Sequence, residues 1–180
     1  IQIKNNEKEN KIDIINNGKT PLFARLIRRG IPLVGQEIGG SSNLKMSVSY
    51  LSNTGKELYI NDIKQGTDFI SEVTVAHPGI RGDYNELALT QIFPSGWEII
   101  NTRLTGTDNI DEVDIPEYID IRDDRALIYF DLKSNESKTF RVRLNAAYKG
   151  NFYLPALATE AMYDNSIYSQ NRGKWVKVSE

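Results

Sequence analysis

The sequence holds one histidine, His77, and no cysteine in 180 residues. Those two facts bound the chemistry available. Without cysteine there is no disulfide, no thiolate nucleophile, no thiolate metal site and no thioester within these residues. A zinc site would need His77 with carboxylates, and no H-E-x-x-H or similar spacing occurs. His77 stands before Pro78-Gly79 at the end of an expected strand, where a structural role outweighs that of ligand or base. No G-x-S-x-G elbow is present, and a serine nucleophile would have to draw on the same histidine. "GQEIGG" (35–40) is rich in glycine. It lacks the Lys-Ser/Thr of a phosphate loop and does not follow G-x-G-x-x-G.

The remaining chemistry lies in charges. Asp108, Asp111, Glu112, Asp114, Asp123 and Asp124 are the acidic candidates for calcium, but their spacing is not that of an EF-hand loop. A solvated acidic loop is the plainer reading, with a calcium-binding strand-end loop as the alternative. Asp123 and Asp124 are neighbours, and neighbouring strand residues face opposite sides, so they do not readily share a site. Arg28-Arg29 and the alternating Arg141 and Arg143 are the basic features. Cross-strand pairing to carboxylates explains the second pair, with a partner-binding stripe as the alternative. No enzyme, cofactor or metal is expected.

One stretch asks for a different explanation. "YLPALATEAMYDNSIYSQNRG" (153–173) carries Met162, Tyr163 and Tyr168 in what reads as a loop, with Asp164, Asn165 and Ser166 forming its turn. Methionine and tyrosine are enriched on protein-binding surfaces, and they also cover their own cores. Both readings stay open on the residues alone.

These residues need a scaffold. The chain is 39% hydrophobic, enough for one sizeable core or two small ones. A formal net charge of -2 gives no basic footprint for nucleic acid. No run of 18 apolar residues marks a transmembrane helix. The sequence does not start with Met and carries no leader segment, so it reads as part of a longer protein, with any membrane anchor elsewhere.

The register is mostly period two. Strands at 11–15 and 22–28 around Asn17-Gly18 are expected to form a hairpin, with Pro21 at an edge. Gly39-Gly40-Ser41 is expected to be the most mobile part of a loop. In "LKMSVSYLS" (44–52), Leu44, Met46, Val48 and Tyr50 share a face. Phe69, Val73, Val75, Leu87, Leu89 and Ile92 are expected inward. Trp97, Ile99 and Ile100 resume a strand after the turn at 93–96. An acidic loop is expected at 105–118. Strands follow at 126–132, 138–146 and 150–154, and a last one in which Trp175, with Val176 or Val178, closes the core. About nine short strands without an amphipathic helix imply an all-β, antiparallel β-sandwich of immunoglobulin-like type with long loops. One domain over 1–180 is preferred to two split near Ile100, because the C-terminal half alone has too few strands.

Four segments together resemble one family. They are "FARLIRRGIPLVG" (23–35), "GDYNELALTQIFPSGWEI" (82–99), "IRDDRALIYFDL" (121–132) and "FRVRLNAAYKGNFYLPALATEAMYDNSIYSQNRG" (140–173). Their order and spacing are similar to the C-terminal, last macroglobulin-like domain of the bacterial alpha-2-macroglobulins over almost the whole chain. The departures are Pro155-Ala156 where the family often has Pro-Pro, and Phe93-Pro94-Ser95-Gly96 where it often has Leu-Pro-Ala-Gly. The resemblance implies a non-catalytic domain of a periplasmic or cell-envelope protein, lipid-anchored at its own N-terminus, that traps or inhibits proteases. It implies packing against the thioester domain of the same chain, with proteases as the parent's targets. The family's Met-Tyr pair falls on Met162-Tyr163, and the resemblance implies that these shield the thioester from water. The alternative is a generic immunoglobulin-like adhesion or scaffold module of a secreted bacterial protein.

Overall fold

The computed structural model describes residues 14–25, 33–100 and 114–180. The chain forms two compact units, Ile1–Ile31 and Pro32–Glu180. In the first, the expected hairpin does not appear among the described residues: 14, 15 and 22–25 are not strands. The turn itself is present, because Asn16 accepts from Gly18 N and donates to the Thr20 carbonyl. Ile14, Ile15, Leu22 and Phe23 are all exposed, so no buried face holds flanking strands in place. Pro21 also removes a ladder donor. The rest of the expected hairpin, with Arg28-Arg29, and the acidic residues Asp108, Asp111 and Glu112 lie outside the described residues.

The second unit is an all-β sandwich of thirteen strands among the described residues. The six-stranded sheet has the order β1(Gly40–Ser42), β12(Asp164–Gln170), β11(Ala158–Ala161), β5(Tyr84–Ile92), β8(Arg125–Leu132), β7(Tyr118–Ile121). The four-stranded sheet runs β2(Lys45–Ser52), β4(Asp68–Ala76), β9(Ser137–Ala146), β6(Trp97–Ile99). A third sheet joins β10(Gly150–Leu154), β13(Lys174–Ser179) and β3(Asp62–Lys64). Among the described strands every pairing is antiparallel except β13 with β3.

The alternation read from the sequence places the core. Leu44, Tyr50, Phe69, Val73, Val75, Leu87 and Leu89 are buried as expected. One cluster joins Val73, Val75 and Phe140 of the four-stranded sheet to Leu87, Leu89, Ile128 and Phe130 of the six-stranded sheet. A second gathers Tyr50, Phe69, Trp97 and Leu144 with Leu154, Val176 and Val178 of the third sheet. Between them lies a buried polar contact: Ser71 Oγ donates to Gln91 Oε1 at 3.0 Å. Gln91, not Ile92, is the inward residue, because β5 keeps strict period two from Leu87 through Leu89; Ser71 meets its Oε1, while its Nε2 is buried without a partner.

Three further expectations are corrected. Gly40–Ser42 is a strand paired with β12, not the tip of a mobile loop. A Cβ on Gly39 would lie 3.1 Å from the Gln170 carbonyl oxygen, so that glycine serves close backbone approach. Trp175 does not close the core. Val176 and Val178 take the inward positions, and Trp175 is 61% exposed, edge-on to Tyr153 at 5.6 Å. The segment holding Met162, Tyr163 and Tyr168 is a β-hairpin, and Met162-Tyr163 is its turn.

Candidate functional site

The hairpin of β11 and β12 carries the residues singled out in the sequence. Ala161 pairs with Asp164, so Met162 and Tyr163 form a two-residue tip. Neither takes a positive φ. The register instead shifts between Glu160 and Ala161, where Glu160 faces Tyr168, and this bulge absorbs the extra residues of β12. Asp164–Ser166 thus lies in the bulged strand and is not the turn. A local side-chain turn survives there, because Asp164 accepts from both the Ser166 backbone N–H and its hydroxyl. Those bonds, the Ser166 hydroxyl first, hold the Asp164 carboxyl below its ordinary value, with the Arg81 guanidinium adding to the effect.

Several contacts fasten the tip. Arg81 bonds both Asp164 and Ser166. The Met162 N–H donates to the Glu86 carbonyl at 3.1 Å. Asn43 Nδ2 donates to the Ser166 carbonyl. Ala161 and Ile167 anchor the hairpin in the core, while Met162 is 47% and Tyr163 81% exposed. The hairpin is held and its tip presents a thioether and a phenol outward. Tyr168 is 39% exposed, one step back on β12.

Strand pairing adds residues that the sequence did not single out. Register places Ser42, Tyr168, Glu160, Ala88, Tyr129 and Tyr118 in one row across the six-stranded sheet, on its outer face. The Tyr118 and Tyr129 rings stand 5.8 Å apart. Their distance in sequence from Tyr168 hides this row until β5 and β8 pair.

Of the chemical candidates among the described residues, His77, Asp124 and Arg141 take structural roles. His77 is buried and stacks on Tyr84 at 3.7 Å. Its Nδ1 accepts from Gly79 N, which fixes the tautomer so that Nε2–H donates to the Gly82 carbonyl. Both nitrogens are used. Asp124 is forked by its neighbour Arg125, and that hydrogen bonding lowers the carboxyl's pKa. Arg141 pairs with Glu72 directly across the β4–β9 ladder, as the cross-strand reading expects. Arg143, next on the same stripe, has its Nε buried without a hydrogen-bond partner. Among the described residues no group of three or more His, Cys, Asp or Glu side chains is placed to hold a metal ion. No helix among them is long and apolar enough to cross a membrane.

An antiparallel sandwich of this topology, with a held hairpin, is of the macroglobulin-like class. Residues 44–165 match the family described as the bacterial alpha-2-macroglobulin MG10 domain, and the chain belongs to that family. It is 30% identical over 129 residues to an alpha-2-macroglobulin of Rickettsia conorii, covering 69% of this chain and 7% of that protein. It is 25% identical over 184 residues to an alpha-2-macroglobulin homolog of Yersinia pestis, covering 91% of this chain and 9% of that protein. The chain thus spans less than a tenth of either relative. Its fold matches the native Escherichia coli alpha-2-macroglobulin, solved from domain MG7 to the C-terminus, with a TM-score of 0.69 at 16% identity. That match covers 80% of this chain and 24% of the other.

Proposed function

We propose that this chain is a C-terminal, non-catalytic domain of a much larger cell-envelope protein that traps or inhibits proteases, and that it packs against the thioester domain through its β11–β12 hairpin. The observation that carries this reading is the tip itself: Met162 and Tyr163 are outward on a hairpin whose flanks are anchored. A rigid protrusion ending in two adaptable apolar groups suits a contact from which water is to be excluded. A thioester hydrolyses unless water is kept from it, so such a cover has a chemical purpose. The chain has no cysteine, so any thioester lies elsewhere in the parent.

Relatives support the protease connection. The Escherichia coli protein has been solved in a form described as trypsin activated, and the Salmonella protein in a form reacted with methylamine. The proposed location is the periplasm or envelope, with an N-terminal lipid anchor on the parent.

The test uses the full-length parent. It is mixed with a broad-specificity protease, with and without prior methylamine, and resolved on denaturing gels. A protease–parent adduct abolished by methylamine is the expected result. Specific cleavage without an adduct would leave a non-covalent trap. Absence of specific cleavage would refute the protease reading in favour of a scaffold module.

A further inference from the structure

Away from the hairpin, a cleft of about 330 Å³ opens between β2 and residues 171–174. That volume is at the lower end of small-ligand sites. Val48, Tyr50, Leu58, Ile60 and Leu154 supply apolar walls. Arg172, Lys174 and Glu57 also line the cleft.

Among the described residues, neither cation is held by an ion pair. Lys174 has the same parity on β13 as the buried Val176 and Val178 but stands at the strand's start and is itself exposed. Its ammonium sits 5.8 Å from the centroid of the Tyr50 ring. Among the described residues Glu57 has no ion pair either. Partial burial lowers the pKa of Lys174, as expected of a cation that has lost water and gained no carboxylate.

The backbone bearing these cations is held by contacts of its own. Asn171 clasps Leu157 in both directions: its N–H donates to the Leu157 carbonyl, and its Oδ1 accepts from Leu157 N at 2.7 Å. At Gly173 a Cβ would lie 2.1 Å from Tyr153 Oη and 3.0 Å from the Leu154 carbonyl. The backbone between the two cations is therefore pressed onto β10.

We propose that this cleft binds an amphiphilic monocarboxylate, with the carboxylate against Lys174 and Arg172 and the apolar stem against Leu58, Ile60 and Leu154. Charge complementarity sets the anion. Glu57, on the same lining, disfavours a second carboxylate. Two sources share this chemistry: a free small acid, and the C-terminal carboxylate of a peptide.

The test is an NMR titration of the 180-residue chain, following backbone amides. The probes are 3-phenylpropionate and N-acetyl-Leu-Phe with a free C-terminus, each against its amide. The expected result is saturable shifts at Leu58, Ile60 and Lys174, with a Kd of about 1–10 mM for the small acid. Binding should fall at least tenfold for the amides and for Lys174→Met, and persist in Lys174→Arg. Tighter binding of the peptide acid would identify a chain terminus as the ligand, and tighter binding of 3-phenylpropionate a free acid. Equal shifts from acid and amide, unchanged affinity in Lys174→Met, or no saturable shift from either acid would overturn the proposal. Thermal unfolding of the variant separates a lost site from a lost fold. If Lys174→Met lowers Tm, Arg172→Met carries the same comparison.

Discussion

Replacing Met162 and Tyr163 together by alanine separates a presented tip from a core element. Full burial of a large apolar side chain is worth about 1.5–3 kcal/mol. Met162 keeps 47% of its surface exposed and Tyr163 81%, so alanine forfeits about half of one such burial and a small part of another. The expected loss is about 1 kcal/mol, a fall in Tm of about 2–4 °C for a chain of this size. The backbone bond from Met162 N to Glu86, and the Arg81 contacts to Asp164 and Ser166, survive the change. Phe130→Ala is the comparator. That ring is fully buried against Phe140, and its removal should cost about 3–5 kcal/mol. Thermal and urea unfolding of the 180-residue chain, followed by circular dichroism, reads both variants. A loss near that of Phe130→Ala in the double variant would refute the presented-tip reasoning and return both side chains to the core.

Two other outcomes follow from the interior and the edge. Ser71→Ala alone should cost about 1–3 kcal/mol, because it leaves the buried Gln91 Oε1 unmet, whereas Ser71→Ala with Gln91→Met should recover most of that in urea unfolding. A double variant no better than the single one would refute the polar-pair account. The second concerns Glu37, whose carboxylate accepts from the Tyr153 hydroxyl and from Gly35 N. The Tyr153 bond is the main cause of a pKa lowered from 4.5. A depressed carboxylate contributes stability that is present above its unfolded pKa and lost as pH falls through its folded pKa. The Tm difference between the native chain and Tyr153→Phe should therefore be steady near neutral pH and narrow on acidification below 4.5. A gap independent of pH would refute the assignment.

Period two in the sequence specified the sandwich. Leu87 and Leu89, or Val73 and Val75, alternate with half-exposed residues, and a strand offers one face to the core by geometry alone. The absence of cysteine and the isolation of His77 likewise removed whole classes of chemistry without coordinates. Met162-Tyr163 stood out because turns seldom need such side chains.

Tertiary structure decided the rest, because pairing is not written in composition. The bulge at Glu160 put Met162-Tyr163 at the tip and drew Asp164 into a strand. A glycine-rich stretch became β1 because β12 offered it an edge. Gln91 is buried because the ladder kept its phase, and Ser71 lay opposite to meet its Oε1. Trp175 points outward because two valines claimed the inward positions. The rows of Tyr168, Tyr129 and Tyr118, and the cleft beside Lys174, join residues far apart in sequence. Local pattern fixes which way a side chain points relative to its own strand, while only the register between strands fixes what it meets.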